Sequence, residues 1–238
     1  MVTPPEGRER GKIPHGGVLS ALGHRDYTLV WAGALISNIG TWIQSTALLW
    51  HVKETTNSNV WVGAVNMAYF IPILFFVLFA GHVADVYQRK RVLYVTYGVM
   101  MVSALALGVA QSFGAASLPL IMVTVFVSGT AYAFSAPAGV SLLPCLVPEE
   151  DMMNALALGS AQFNIGRVIG PALGAVIVAA WSVAGAFYIN ALSYIFILTA
   201  IAIARLRTVE VKRPRGDVFK SFSRAYLRRS SRFGAKGG

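Results

Sequence analysis

From residue 27 to residue 204 the sequence carries only ten charged side chains: Lys53, Glu54, Asp85, Arg89, Lys90, Arg91, Glu149, Glu150, Asp151 and Arg167. The surface of a water-soluble domain cannot be built from so few. Such domains are about a quarter charged, against 13% for this whole chain. Uncharged runs at 60–81 and 92–117 flank a knot of charge around Asp85 and Arg89-Lys90-Arg91, and each run is long enough for the ~20 residues of a helical span. The chain therefore reads as an all-α integral membrane protein with a tight, charged turn between two spans.

The distribution of the cations sets the expected orientation. The net charge is +10, and basic segments resist translocation and are drawn to anionic lipid on the cytoplasmic side. Four cations precede residue 27, three sit in the central turn and eleven follow residue 204, leaving Lys53 for the far side and Arg167 inside a span. A basic balance partitioned in this way is a topology signal, and no aromatic-basic module accompanies it that would bind nucleic acid. Cys145 is the sole cysteine, and His15, His24, His51 and His82 are scattered without metal-ligand spacing. There is no nucleophile–base pairing and no phosphate-binding loop, so no enzyme, metal or cofactor is expected.

In order, residues 1–26 are expected to form a cytoplasmic arm, with a short interfacial helix near 18–22. Six spans follow at about 27–50, 60–80, 92–111, 118–143, 153–180 and 186–204, and 205–238 form a basic cytoplasmic tail. Both termini then lie in the cytoplasm of a cell-membrane protein. The uncharged stretch from 168 to 204 is too long for one helix across a bilayer, so a turn is placed at 181–185. Pro72 and Pro171 fall in the second helix of each set of three, as in an inverted repeat whose helices line a pathway. In the tail, Phe219, Phe222 and Tyr226 share one face of a helix expected to lie on the membrane surface.

Several residues are candidates for function. In span one, Ser37, Asn38, Thr41, Trp42 and Ser45 recur at three- and four-residue steps, which puts them on one face. That face meets protein or water, either as helix packing by small polar groups or as a substrate-lined surface. Tyr69, Tyr132, Asn190 and Tyr194 are further candidate cavity residues. Gly166, Gly170 and Gly174 repeat every four residues beside Pro171, giving a flat groove for a close neighbour. Arg167 sits about four turns into span five, where a cation costs ~2.5–3.5 kcal/mol on insertion scales. It either attracts an anionic substrate or stabilises one transport state, or else it snorkels or is held structurally, by a carbonyl or by Asn164.

The motif Gly81-x-x-x-Asp85-x-x-x-Arg89-Lys90-Arg91 resembles the loop between helices two and three of the major facilitator superfamily. It departs from the pattern at Val86, where a basic residue is usual, and at Gln88, where a second glycine is usual. The run Gly166-x-x-x-Gly170-Pro171-x-x-Gly174-Ala175 resembles the antiporter signature of exporters in that superfamily. The stretch from Pro137 to Asn154, with Phe163-Asn164-x-x-Arg167, is similar to its enterobactin-exporter-like, transmembrane secretion effector branch. The resemblance implies half of a twelve-helix fold and proton-driven export, by alternating access, of a siderophore, drug or similar amphipathic molecule. It carries over Asp85, Arg89, Arg91, Arg167, Gly170 and Pro171 as functional positions, with 81–91 as a conformational-switch loop. Two features depart from the family: only six spans are present, and span four lacks its usual basic residue, as the spans lack a deeply buried carboxylate. The expected partners are a small-molecule substrate, the bilayer, and either a second copy or a separate six-helix half. The tail resembles a truncated linker into that half. The alternative is a truncated or accessory membrane protein with no transport of its own.

Overall fold

The computed structural model describes residue 17 and residues 19–206. The expected tail helix and most of the N-terminal arm lie outside the described residues. Six long helices carry the chain: α1 (Arg25–Thr56), α2 (Asn59–Val86), α3 (Arg89–Ser112), α4 (Leu118–Leu142), α5 (Met152–Ala180) and α6 (Val183–Ile203). Single 3-10 turns precede α1 at Ser20–Gly23 and join α4 to α5 at Leu143–Cys145 and Glu149–Asp151.

The helices overrun most of the expected spans, and the links shrink accordingly. His51 to Thr56 continue α1, which ends on Asn57 in the left-handed conformation (φ 48°), with the Asn57 N–H donating to the Lys53 carbonyl at 2.9 Å. Gly81 to Val86 are the last turns of α2 instead of a loop, so Tyr87 and Gln88 alone separate α2 from α3. Between α5 and α6 only Trp181 and Ser182 remain, and the Ser182 hydroxyl accepts the Gly185 N–H at 3.0 Å as an N-cap. A continued helix satisfies its own backbone at the edge of a bilayer, where an open loop would need outside partners.

Five of the six helices are long and apolar enough to cross a membrane. The exception is α1, which at 32 residues has ample length but carries Ser37, Asn38, Thr41, Gln44, Ser45 and Thr46 in its centre.

Packing is selective. α1 lies against α5 and α6, α4 against α2 and α3, and α3 against α6, while the consecutive pairs α1–α2 and α2–α3 scarcely touch. Exchanging each helix of the first three with its counterpart in the second three (α1 with α4, α2 with α5, α3 with α6) maps this pattern onto itself. Short links make successive helices alternate in direction, so the two triplets are inverted relative to one another, as expected of the repeat. The core is two apolar clusters, one at each end of the bundle. One joins Tyr27, Leu93, Met100, Leu142, Leu158, Tyr194 and Ile201; the other joins Ile43, Leu48, Val65, Leu107, Ile121 and Phe187. α2 and α5 contribute least to either. Phe70, Leu74, Phe75 and Phe79 of α2 and Met153, Val168 and Val176 of α5 stand exposed, Leu74 at 75%.

Candidate functional site

The polar face of α1 meets the glycine face of α5. Three α1 side chains in register donate to successive α5 carbonyls. Tyr27 Oη reaches Ala155 O at 2.9 Å, Trp31 Nε1 reaches Leu158 O at 2.9 Å, and Asn38 Nδ2 reaches Gln162 O at 3.4 Å. Further along, the helices close to backbone contact. A Cβ at Gly170 would stand 2.3 Å from Trp42 Cβ; one at Gly166 would meet the Asn38 amide carbon at 3.0 Å; one at Gly174 would meet Ile43 O at 3.1 Å. The expected groove is thus filled by α1. The Trp42 ring crosses the Phe163 ring edge to face with centroids 5.9 Å apart.

Arg167 projects from the middle of α5 beside this contact and is exposed. Asn164 does not hold it: the Asn164 amide donates to Ser160 O of its own helix at 2.9 Å. Among the described residues no hydrogen bond or ion pair engages the guanidinium. Pro171, four residues on, has no N–H to offer the Arg167 carbonyl.

The polar stripe of α1 is divided between two neighbours. Asn38 and Trp42 turn to α5, whereas Thr41 and Gln44 turn to α6. There Thr41 Oγ1 lies 3.1 Å from Tyr194 Oη, and Asn190 Nδ2 donates to Gln44 Oε1 at 2.7 Å. Ser193 Oγ lies 3.2 Å from Asn190 Oδ1, and Asn190 is 1% exposed. Ser45 is half-buried and joins no hydrogen bond among the described residues. The Tyr132 ring lies 6.0 Å from that of Tyr69, and the Tyr97 ring lies 6.1 Å from that of Tyr194. The sequence reading missed Gln44 and Tyr97. Gln44 follows Thr41 by three residues in an uncharged run, a signal that could have found it. Tyr97 has no such signal, being one aromatic among many in a span.

The charged turn is a junction. Arg89 donates to Cys145 Sγ at 3.0 Å, tying α3 to the α4–α5 link, and Lys90 Nζ donates to the Ala204 carbonyl beyond α6. Such bonds offset the poor placement of cations at a helix N-terminus. Arg91 makes neither kind of contact among the described residues. Asp85 lies in the last turn of α2, and its side chain is outside the described set. Gly81 has open space where a Cβ would be. On the same side of the bundle His24 Nε2 lies 2.7 Å from Asp151 Oδ2, with Asp151 2% exposed. Among the described residues no group of three His, Cys, Asp or Glu side chains could hold a metal ion.

Comparison with known proteins gives a consistent picture. The sequence profile described as transmembrane secretion effector matches residues 16–234. The chain is 31% identical to the staphyloferrin A transporter of Staphylococcus aureus over 157 residues, 66% of this chain and 40% of that protein. It is 23% identical to macrolide efflux protein A of Streptococcus pyogenes over 177 residues, 74% of this chain and 44% of the relative. With an enterobactin exporter of Salmonella choleraesuis it shares 26% identity over 189 residues, 77% and 44% of the two chains. The chain thus spans less than half the length of these curated relatives.

Proposed function

The chain belongs to the transmembrane secretion effector family of the major facilitator superfamily, and from that premise we propose that it forms the N-terminal half of a small-molecule exporter. It is a multi-pass membrane protein whose relatives are transporters and not enzymes.

The observation that carries the proposal is Arg167: a cation halfway along a membrane helix, exposed, with no partner among the described residues. Left in hydrocarbon it costs ~2.5–3.5 kcal/mol, so this face of α5 is expected to look onto water, substrate or a further protein surface. The α1–α5 contact holds it there, with Asn38, Trp42 and Asn164 on neighbouring positions. A fixed cation in an aqueous pathway favours a substrate with an anionic or electron-rich group. A siderophore or an amphipathic drug is the proposed cargo, and the names of the relatives support the class. Alternating access by rocking of one six-helix body against another is the proposed mechanism. The open face at Gly81 and the exposed α2 and α5 faces support a second body, either a separate six-helix half or a second copy. Proton coupling rests on the family likeness, because no carboxylate lies within the apolar stretch of any of the six helices.

The test is export from proteoliposomes holding the chain alone, the chain with a co-expressed second half, and each with Arg167→Ala. The expected result is substrate export at tenfold or greater loss in Arg167→Ala, abolished when the pH gradient is collapsed. Export unchanged by Arg167→Ala overturns the assignment of the pathway. Absence of export in every pairing favours an accessory protein.

A further inference from the structure

α2 and α3 are joined by two residues, yet they splay apart and both lean on α4. Where the end of α2 at Val83 and Tyr87 meets α3 and α4 lies a cleft of about 720 Å³. Phe126 and Phe134 of α4 form its floor, Val95 and Val99 of α3 one wall, with Tyr87 and Arg91 at its charged end. The two hydroxyls that face it are already satisfied: Thr130 Oγ1 donates to Phe126 O at 2.9 Å and Thr96 Oγ1 to Leu93 O at 3.1 Å. Nothing in the cleft calls for water or a polar ligand, save at one end.

That end is chemically specific. Of the three consecutive cations, Arg89 is engaged by Cys145 and Lys90 by the Ala204 carbonyl, which leaves Arg91 exposed at the rim beside the Tyr87 phenol. From Arg91 to Val99 the cleft follows α3 for eight residues, ~12 Å at the rise of a helix. That is close to the ~15 Å depth of one leaflet of hydrocarbon, half of the bilayer core. An apolar trough of leaflet depth, closed at its interfacial end by an aromatic hydroxyl and by a cation with no partner among the described residues, has the complement of an amphiphile with one negative charge.

We propose that this cleft binds an anionic phospholipid, an acyl chain lying along Val95, Val99 and Phe126 and the phosphate on the Arg91 guanidinium. The site requires the chain to sit in a bilayer but not to transport, so it stands or falls separately from the export reading. The bound lipid fills the groove between α3 and α4 beside the end of α2 and steadies the turn that joins α2 to α3.

The test is native mass spectrometry of the 238-residue chain released from neutral detergent after titration with phosphatidylglycerol or with phosphatidylcholine of matched acyl chains. The expected result is one phosphatidylglycerol retained per chain, about fivefold in preference to phosphatidylcholine, the increment of one cation near an anionic headgroup. Arg91→Lys keeps the preference and Arg91→Gln removes it. Val95→Trp, which fills the trough without touching the charge, lowers retention of both lipids. Equal retention of the two lipids by the unaltered chain overturns the proposal, as does an unchanged preference in Arg91→Gln or unchanged retention in Val95→Trp. Competition by glycerol 3-phosphate at the strength of the intact lipid also overturns it, since that identifies a free-anion site.

Discussion

Gly170 and Gly81 show how differently two glycines of one sequence are constrained. A side chain at 170 collides with Trp42 Cβ at 2.3 Å, an atom close to the backbone that cannot swing away, whereas at 81 it meets nothing among the described residues. Gly170→Val is expected to destabilise the chain by about 1–3 kcal/mol through overpacking, read by denaturant unfolding in detergent with a shift in tryptophan emission. Gly81→Ala in the isolated chain is expected to stay within about 0.5 kcal/mol of the parent. Equal stability of the two variants contradicts the α1–α5 contact. The four-residue glycine repeat was legible in the sequence as a groove, and Arg167 was legible as an outlier in an uncharged run. That α1 fills the groove, and that Asn164 bonds its own helix and leaves Arg167 without a partner among the described residues, depends on residues more than a hundred positions away or on a rotamer choice, neither of which local pattern encodes.

The elements behave similarly. The stripe on α1 reads as one polar face, but the helix has two neighbours, and the stripe serves both: Asn38 and Trp42 for α5, Thr41 and Gln44 for α6. The α1–α6 side forms a closed polar network around buried Asn190. A double-mutant cycle with Gln44→Ala and Asn190→Ala is expected to give a coupling of about 1 kcal/mol, within the range measured for polar pairs between membrane helices. A coupling near zero shows that the two amides do not meet. Helix ends were the least legible feature. His51 to Thr56 look like a polar loop by composition, yet they remain helical because the α1 C-terminus can be capped only once the chain reaches Asn57, which tolerates the left-handed conformation.

For the molecule as a whole, the repeat relates α1–α5 to α4–α2 and α1–α6 to α4–α3, while α2 and α5 keep broad apolar faces uncovered. The cation distribution predicts that Lys53 and the Arg89 turn lie on opposite sides of the membrane. In a Cys145→Ser background, a membrane-impermeant maleimide applied to intact cells is expected to label Lys53→Cys and to spare Gln88→Cys until the membrane is opened. Labelling of both positions in intact cells contradicts the topology. The sequence by itself determined that the chain is all-helical and apolar enough for a membrane and where its charge collects, because partition between water and hydrocarbon acts residue by residue along the chain. Only the tertiary structure decided which helix faces which, since lipid is as apolar as a protein core and side-chain hydropathy cannot separate a buried face from a lipid-facing one. Partner choice fell instead to close fit at Gly170 and Gly129, where a Cβ would come within 2.2 Å of the Tyr69 carbonyl, and to hydrogen bonds between distant side chains.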